Sequence, residues 1–376
     1  MTRTAWIGIL GVLALAACAA IAWGGRQPDE ANSGDYRVLA PISHGNLTIF
    51  PVVSGSRHDT SMFITLDEGL RSGEVVVSEA GQLQGLVRRR PAPPIRFGPQ
   101  VNRLVLVNNS ERPLLLLAGE IVTGGKQDRV VGKDRIVPGN SDPVDLGVFC
   151  VEPGRWTGAS AQFGTTFQID GQLFTPMAQP SVRSKAMADK DQQKVWAEVN
   201  ESTRAMAAAA PLGTGGGIGS GTGGGMPGST TSYAKVMGNS EVQKKVDAVA
   251  APVERSYESV IKQLRNQNAV GVVVAIGGEI VWADVFASTP LLEKYWPKLV
   301  RSYATEAITR HGGKAGIDAK AAQAFLDDLN GTRQVVEIEP GIFRHTEIVG
   351  PGFRAFELAS LLPKAGFAVH ISKMSE

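Results

Sequence analysis

The sequence predicts an α+β fold with a largely antiparallel, sandwich-like β-sheet core, several packed helices and a disordered glycine-rich insert. Three observations predict it. Short apolar, β-branched runs separated by turn residues fill the stretch from Leu47 to Glu152. From Ser184 to Leu329 the apolar spacing changes to that of amphipathic helices. From Val335 to Ser372 strand character returns, so the end of the chain is expected to rejoin a sheet.

Length and charge set the outer bounds. A chain of 376 residues can bury a substantial core, and one composite domain over 47–374 is expected. With 38 Lys and Arg against 36 Asp and Glu, the formal charge of +2 supplies no global field for nucleic acid or an anionic membrane, and no nucleic-acid partner is expected. Attraction for an anion must therefore be local. Residues 1–26 read as a signal or membrane-anchor segment, because Ala5 to Trp23 carries no charge. Within it Leu15-Ala16-Ala17-Cys18 resembles a lipobox with Cys18 as the lipidated residue, whereas the apolar run continuing to Trp23 suits an uncleaved anchor, and Ala20-Ile21-Ala22 a signal-peptidase site. All three readings place the protein outside the cytoplasm, and the first two tether it to the membrane of the cell envelope. Gln27 to Asp35 is polar and opens a tether expected to span 27–46. If Cys18 is lipidated or removed, Cys150 has no disulfide partner and the fold rests on its core.

Along the chain, Leu47 to Val53, Met62 to Leu66 and Val75 to Val77 read as strands, with a short helical turn from Thr65. Arg88-Arg89-Arg90 and the prolines after it form a basic loop. Val101 to Val107, Leu114 to Leu117 and Val144 to Glu152 are further strands. Strand alternation between them puts Gln127 and Arg129 on one face, Lys126 and Asp128 on the other. Val195, Val199 and Met206 mark a helical stripe. Gly213 to Gly228 then dominates a flexible insert, placed at 211–232, that lacks P-loop spacing. Ser240 and Gln243 suggest a capping box, with Pro252 bending or splitting the helix. Val272 to Ile276 and Glu279 to Phe286 flank Gly277-Gly278, a hairpin signature. Thr289-Pro290 starts a helix broken near Pro297, and Asp318 caps the next one. Val335 to Ile338, Phe343 to Val349, Phe353 to Leu358 and Phe367 to Ser372 complete the sheet.

The stretch from Leu114 to Trp156 sets charges among apolar runs that are normally buried, and buried charges need partners. Glu120 and Glu152 are the candidate catalytic acid or base. Lys126, Gln127, Arg129 and Arg155 are candidate ligands for a phosphate or carboxylate, with Trp156 beside them to stack on a base or sugar. The same side chains equally describe a stabilising ion-pair network without a ligand. Cys150 lies in an apolar run, which suits a small buried hydrophobe. His345 and His370 read as ordinary strand residues, no metal-ligand spacing links the histidines, and no cofactor fingerprint is present.

Leu114-Leu-Leu-Leu-Ala-Gly-Glu, Gly125-Lys-Gln-Asp-Arg-Val and Cys150-Val-Glu-Pro-Gly-Arg-Trp together resemble the domain family named for its association with ADP-ribosylglycohydrolase and rhodanese-phosphatase proteins. Gly271-Val-Val-Val-Ala-Ile-Gly-Gly, Asp284-Val-Phe and Leu291-Leu-Glu-Lys-Tyr-Trp-Pro-Lys-Leu are similar to it as well, so the likeness runs from about Leu47 to the C-terminus. The family's pattern often has asparagine where this chain has Asp128. The resemblance implies a link to ADP-ribose or NAD metabolism without a defined reaction, and it carries Glu120, Lys126, Gln127, Arg129, Glu152, Arg155 and Trp156 as its matched positions. The expected function is thus an exported, membrane-tethered domain binding an anionic nucleotide- or sugar-type ligand, with hydrolysis left open. The alternative is an envelope structural or partner-binding lipoprotein whose cluster only stabilises the sheet.

Overall fold

The computed structural model describes residues 36–80, 101–154, 160–210 apart from 161, 166 and 170, 231–263, 267–310, 312 and 316–376. Cys18 with its lipobox, the loop of Arg88 to Arg90, most of the insert, Arg155 and Trp156 lie outside the described residues. The fold is α+β with large antiparallel sheets.

In chain order, β1 (Tyr36–Val38), β2 (Ile42–His44), β3 (Leu47–Ser54) and β4 (Ile64–Thr65) lead into α1 (Leu66–Ser72) and β5 (Val75–Glu79). Then come β6 (Arg103–Asn108), β7 (Leu114–Leu116), β8 (Ile121–Gly124), β9 (Arg129–Val131), β10 (Arg135–Val137) and β11 (Val144–Cys150). Three short strands follow, β12 (Gln162–Gly164), β13 (Phe167–Ile169) and β14 (Gln172–Phe174). The helical part comprises α2 (Pro180–Ser184), a π-helical turn (Lys185–Asp189), α3 (Gln192–Ala209), α4 (Tyr233–Met237) and α5 (Ser240–Gln263). The hairpin β15 (Asn268–Ile276) and β16 (Glu279–Phe286) precedes α6 (Thr289–Thr309) and α7 (Ala319–Asp327). The chain ends in β17 (Thr332–Glu339), β18 (Phe343–Gly350), β19 (Phe353–Ser360) and β20 (Ala368–Ser375).

These strands make two main bodies. An antiparallel nine-stranded sheet runs β1-β3-β15-β16-β20-β19-β18-β17, with β2 also on β3. A closed barrel runs β11-β6-β5-β12-β8-β9. Each body has an apolar reason. Val272, Val274 and Ile276 of β15 join the core shared with α6, while Val273 and Ala275 point to the opposite face, which α7 covers with Ala322 and Leu326. A sheet buried on both faces needs continuous apolar strands, and β15 is one. The barrel is filled by Val77, Leu104, Leu106, Val122, Val131 and Phe163. Helices α2, α3, α5 and α6 pack in the core that joins the two.

Local signals hold where the backbone itself enforces them. Gly277 and Gly278 both take positive φ, +62° and +89°, as a two-residue hairpin turn requires. Thr65 and Glu68 form a reciprocal capping box on α1, and Asp318 caps α7. Elsewhere packing decides. Residues 36–44 of the expected tether pair with β3 as β1 and β2. Neither Pro252 nor Pro297 breaks its helix: α5 and α6 pack along each other, Tyr257 stacking on Trp296 at 4.2 Å, and the contact holds both through the missing hydrogen bond. The cap of α5 is Asn239, whose side chain accepts from the Glu241 N–H, one residue before the expected Ser240. The described end of the insert, Ser232, is buried and caps α4.

One glycine fixes the approach of β15 to β16. A Cβ on Gly271 would meet the Asp284 carbonyl oxygen and lie 2.8 Å from the Val285 Cα, both backbone atoms. Gly271→Ala is expected to lower unfolding free energy by about 1–3 kcal/mol through overpacking, measured by urea denaturation. Gly164→Ala, where a Cβ meets nothing within 4 Å, is the matched control.

Candidate functional site

The charged positions singled out in the sequence divide into two groups. Lys126 to Asp128 form a turn, and the strand begins only at Arg129, so the expected alternation of faces does not apply there. The turn is organised by Asp128. Its carboxylate accepts from the Gly124 N–H (3.0 Å) and from Ser232 Oγ (2.7 Å), and its own N–H donates to Glu152 Oε2 at 3.1 Å. Gln127 donates to the Glu152 carbonyl at 3.1 Å, and buried Arg129 faces Cys150 across the β9–β11 ladder. The Lys126 N–H donates to Glu79 Oε1 at 2.8 Å. Gln127, Asp128, Arg129 and Glu152 are thus one buried cluster with Lys126 at its edge. Burial pushes the Cys150 thiol above its usual value, as for a small buried hydrophobe.

Glu120 belongs to another group. It lies at the start of β8, accepts from the Leu117 N–H at 2.8 Å, and forms an ion pair with Lys298 of α6. Lys298 also bonds Asp67 of α1 at 2.5 Å, and Thr175 closes the group by donating to Asp67 at 2.8 Å. All are buried. Burial raises the Glu120 carboxyl, and the Asp67 charge adds to it against the pull of Lys298. Burial alone would lower Lys298, but Asp67 and Glu120 hold it above its usual value. One cation between two carboxylates clamps the barrel to α6.

A second buried row runs beside it. Arg183 of α2 donates through both terminal nitrogens to Asp284 of β16, at 2.8 and 3.0 Å, and its guanidinium lies 4.4 Å from the centre of the Trp282 ring. Tyr303 donates to the same carboxylate. His370 of β20 places Nε2 3.3 Å from Asp284 and Nδ1 2.5 Å from Asp134, in the β9–β10 turn. Asp134 in turn accepts from the Ala118 N–H at 2.7 Å. Gly119, at φ +94°, leaves room for Arg183: a Cβ there would lie 2.6 Å from the arginine Cγ. Burial works against the His370 charge, but Asp134 and then Asp284 push its pKa up to about 9. Against the same burial, His370 holds Asp134 below the usual carboxylate range, while Arg183 and His370 hold Asp284 far below it.

This row ends near a cavity of about 180 Å³. Gly132 and Lys133 of the β9–β10 turn, Lys190 after the π-helical turn, Glu337 of β17 and His345 of β18 line it over an apolar floor of Met187, Val336 and Phe356. His345 is 2% exposed, and neither ring nitrogen has a hydrogen-bond partner among the described residues. Its ring stacks on Phe356 at 5.8 Å. Burial lowers its pKa, Asp134 opposing, so the ring is neutral at pH 7 with one acceptor and one donor to offer. Lys133 pairs with Glu337, and Lys190 with Glu347 at 2.8 Å. Among the described residues no group of three or more His, Cys, Asp or Glu side chains is arranged to hold a metal ion.

Sequence reasoning gave Asp134, Arg183, Asp284 and Lys298 no place in the site, and it read His345 and His370 as ordinary strand residues, whereas His370 is a buried cation between two carboxylates and His345 lines the cavity. A signal existed for Asp284 and Lys298, each a lone charge inside an apolar segment, Val281-Trp-Ala-Asp-Val-Phe and Tyr295-Trp-Pro-Lys-Leu-Val. For the histidines there was none, because their partners are remote in the chain.

The chain belongs to the ARG and Rhodanese-Phosphatase-superfamily-associated Protein domain family, whose model matches residues 35–373. No curated protein and no solved structure matches it at a significant level.

A titration tests the buried row. The folded pKa of His370, about 9, lies above the ordinary 6.5, so its stabilisation is complete below pH 6.5 and is lost as pH rises through 9. Urea unfolding at fixed ionic strength is expected to show that the His370 contribution, taken as wild type minus His370→Asn, falls by about 3 kcal/mol across that window. His370→Asn is expected to flatten the slope.

Proposed function

We propose that this domain binds an anionic, phosphate-bearing ligand of nucleotide or sugar type, its charged end seated between Lys133, Lys190 and His345. The carrying observation is His345, a buried neutral imidazole whose two nitrogens face no protein partner at the wall of a cavity bearing two lysines. Burying such a group without a partner costs about 1–3 kcal/mol, and a ligand with donors and acceptors recovers it. The lysines are half-exposed, Lys133 paired with part-buried Glu337 and Lys190 with buried Glu347, which Arg354 also holds at 3.1 Å, so a phosphate can take Lys190 while Glu347 keeps a cation. At 180 Å³ the cavity lies below the ~300–1,000 Å³ of sites that enclose a drug-sized ligand. It fits a terminal phosphate or pentose, with the remainder of the ligand outside. The family's association with ADP-ribosylglycohydrolase-type proteins makes ADP-ribose the first ligand to try.

In this reading Glu120 is structural, since Lys298 and the Leu117 N–H occupy it inside the core. That observation favours the ion-pair reading for Glu120 without removing a ligand from the neighbouring cavity. Gln127, Asp128, Arg129 and Glu152 hold the barrel wall that carries Lys133. We further propose export and membrane tethering through the apolar run Ala5 to Trp23, with Cys18 as the lipid site in the lipoprotein form. No helix among the described residues is long and apolar enough to cross a membrane.

Calorimetric titration of the purified chain with ADP-ribose and ribose 5-phosphate is expected to show binding of both, and none of ribose. Lys133→Ala and Lys190→Ala are each expected to weaken it roughly tenfold, about 1.4 kcal/mol. Folded protein that takes up neither phosphate at millimolar concentration would refute the reading, and product analysis of the same mixtures shows whether the ligand is hydrolysed.

A further inference from the structure

A second cleft, sharing no lining residue with the first, opens between α5 and α6 with a volume of about 400 Å³, within the range of sites for small organic ligands. One helix face of α5 supplies Glu254, Tyr257 and Glu258, spaced at helical neighbours; one face of α6 supplies Leu292, Glu293 and Trp296. The two aromatic rings stack on each other and form the back of the cleft. Both are 5% exposed, and the Tyr257 hydroxyl and the Trp296 indole N–H have no hydrogen-bond partner among the described residues. Burial holds the Tyr257 hydroxyl above its usual pKa, so it remains a donor. The aromatic wall therefore carries two buried donors without acceptors, and carboxylate acceptors stand at its rim.

The charges there are uneven. Glu254 is 3.4 Å from Arg301 and Glu258 is 3.8 Å from Lys262, whereas Glu293 is exposed on the open side. The rim stays net negative, which disfavours phosphates and acidic sugars. An alkylammonium ligand would satisfy the carboxylates but could not accept from Tyr257 or Trp296. A ligand with an apolar face, ring or carbonyl oxygens that accept, and hydroxyls that donate meets every group present. We infer that this cleft is a binding site for a neutral saccharide, its apolar face on the Tyr257 and Trp296 wall and its hydroxyls donating to Glu254, Glu258 and Glu293.

The test is titration of the full chain with maltotriose and with N,N′,N″-triacetylchitotriose, followed by tryptophan fluorescence and by calorimetry, with trigalacturonate as the acidic comparison. At least one neutral trisaccharide is expected to bind, and trigalacturonate to bind at least tenfold more weakly. Tyr257→Phe, which keeps the ring and removes only the hydroxyl, is expected to weaken binding about tenfold, and Glu293→Gln on the exposed rim several-fold. Lys133→Ala at the other cavity is expected to change nothing here while it weakens ADP-ribose, so the two sites fail independently. Absence of binding by both neutral sugars at millimolar concentration would overturn the inference. So would binding that Tyr257→Phe and Glu293→Gln leave unchanged, or an equal affinity for trigalacturonate.

Discussion

The bidentate pair between Arg183 and Asp284 is the interaction on which the arrangement of the parts depends. Asp284 sits on the central strand β16, Arg183 on α2, Tyr303 on α6 and His370 on β20, and all four meet at one carboxylate with no exposed surface. Removing one partner from such a group leaves an uncompensated charge in the core, at a cost of about 3–5 kcal/mol. The elements are thereby fixed in relation to one another, which apolar contact alone does less sharply, since it is non-directional. Through His370 the same row reaches Asp134, so the barrel is registered on the sheet by the chemistry that registers α2 and α6.

The clamp at Lys298 does the corresponding work on the other side of Glu120. Leu117 and Ala118 lie next to each other in the chain, and their N–H groups point to different carboxylates, Glu120 and Asp134. The segment Leu117 to Glu120 therefore joins the two polar networks over four residues. Gly119 is the necessary break, its positive φ turning the backbone so that Arg183 can pass where a Cβ would sit. Leu117 to Glu120 is the backbone stretch that both buried ion systems share, one taking the Leu117 N–H and the other the Ala118 N–H.

What the sequence made legible was local. The Gly277-Gly278 turn, the helical turn from Thr65 and the strand from Val272 to Ile276 each depend on a few adjacent residues, and each is in the structure. The convergence of charges between 114 and 156 was legible only in part: burial required partners, and partners exist, but chain proximity named the wrong ones for Glu120. Its cation is 178 residues away on α6, and the histidine of Asp134 is 236 residues away on β20. No period or spacing encodes a pairing over that distance; it appears only once the strand order β16-β20-β19-β18 is known. The prolines at 252 and 297 do not split their helices for a related reason, because the loss of one hydrogen bond is outweighed by a helix pair that packs along its length.

The same topology sets His345 and His370 on strands that flank β19, both within the field of Asp134, and they divide that field unequally. His370 holds the carboxylate directly, with Asp284 on its other nitrogen, and carries the proton. Asp134 is thereby largely neutralised before its field reaches His345, which is also opposed by Lys133 and Lys190, and burial leaves that ring uncharged. Two histidines around one carboxylate thus have opposite charge states, a separation typical of groups with different tasks. One is a structural cation. The other is neutral at the wall of a cavity bearing two lysines, so its donor and its acceptor belong to the cavity rather than to the buried row behind it.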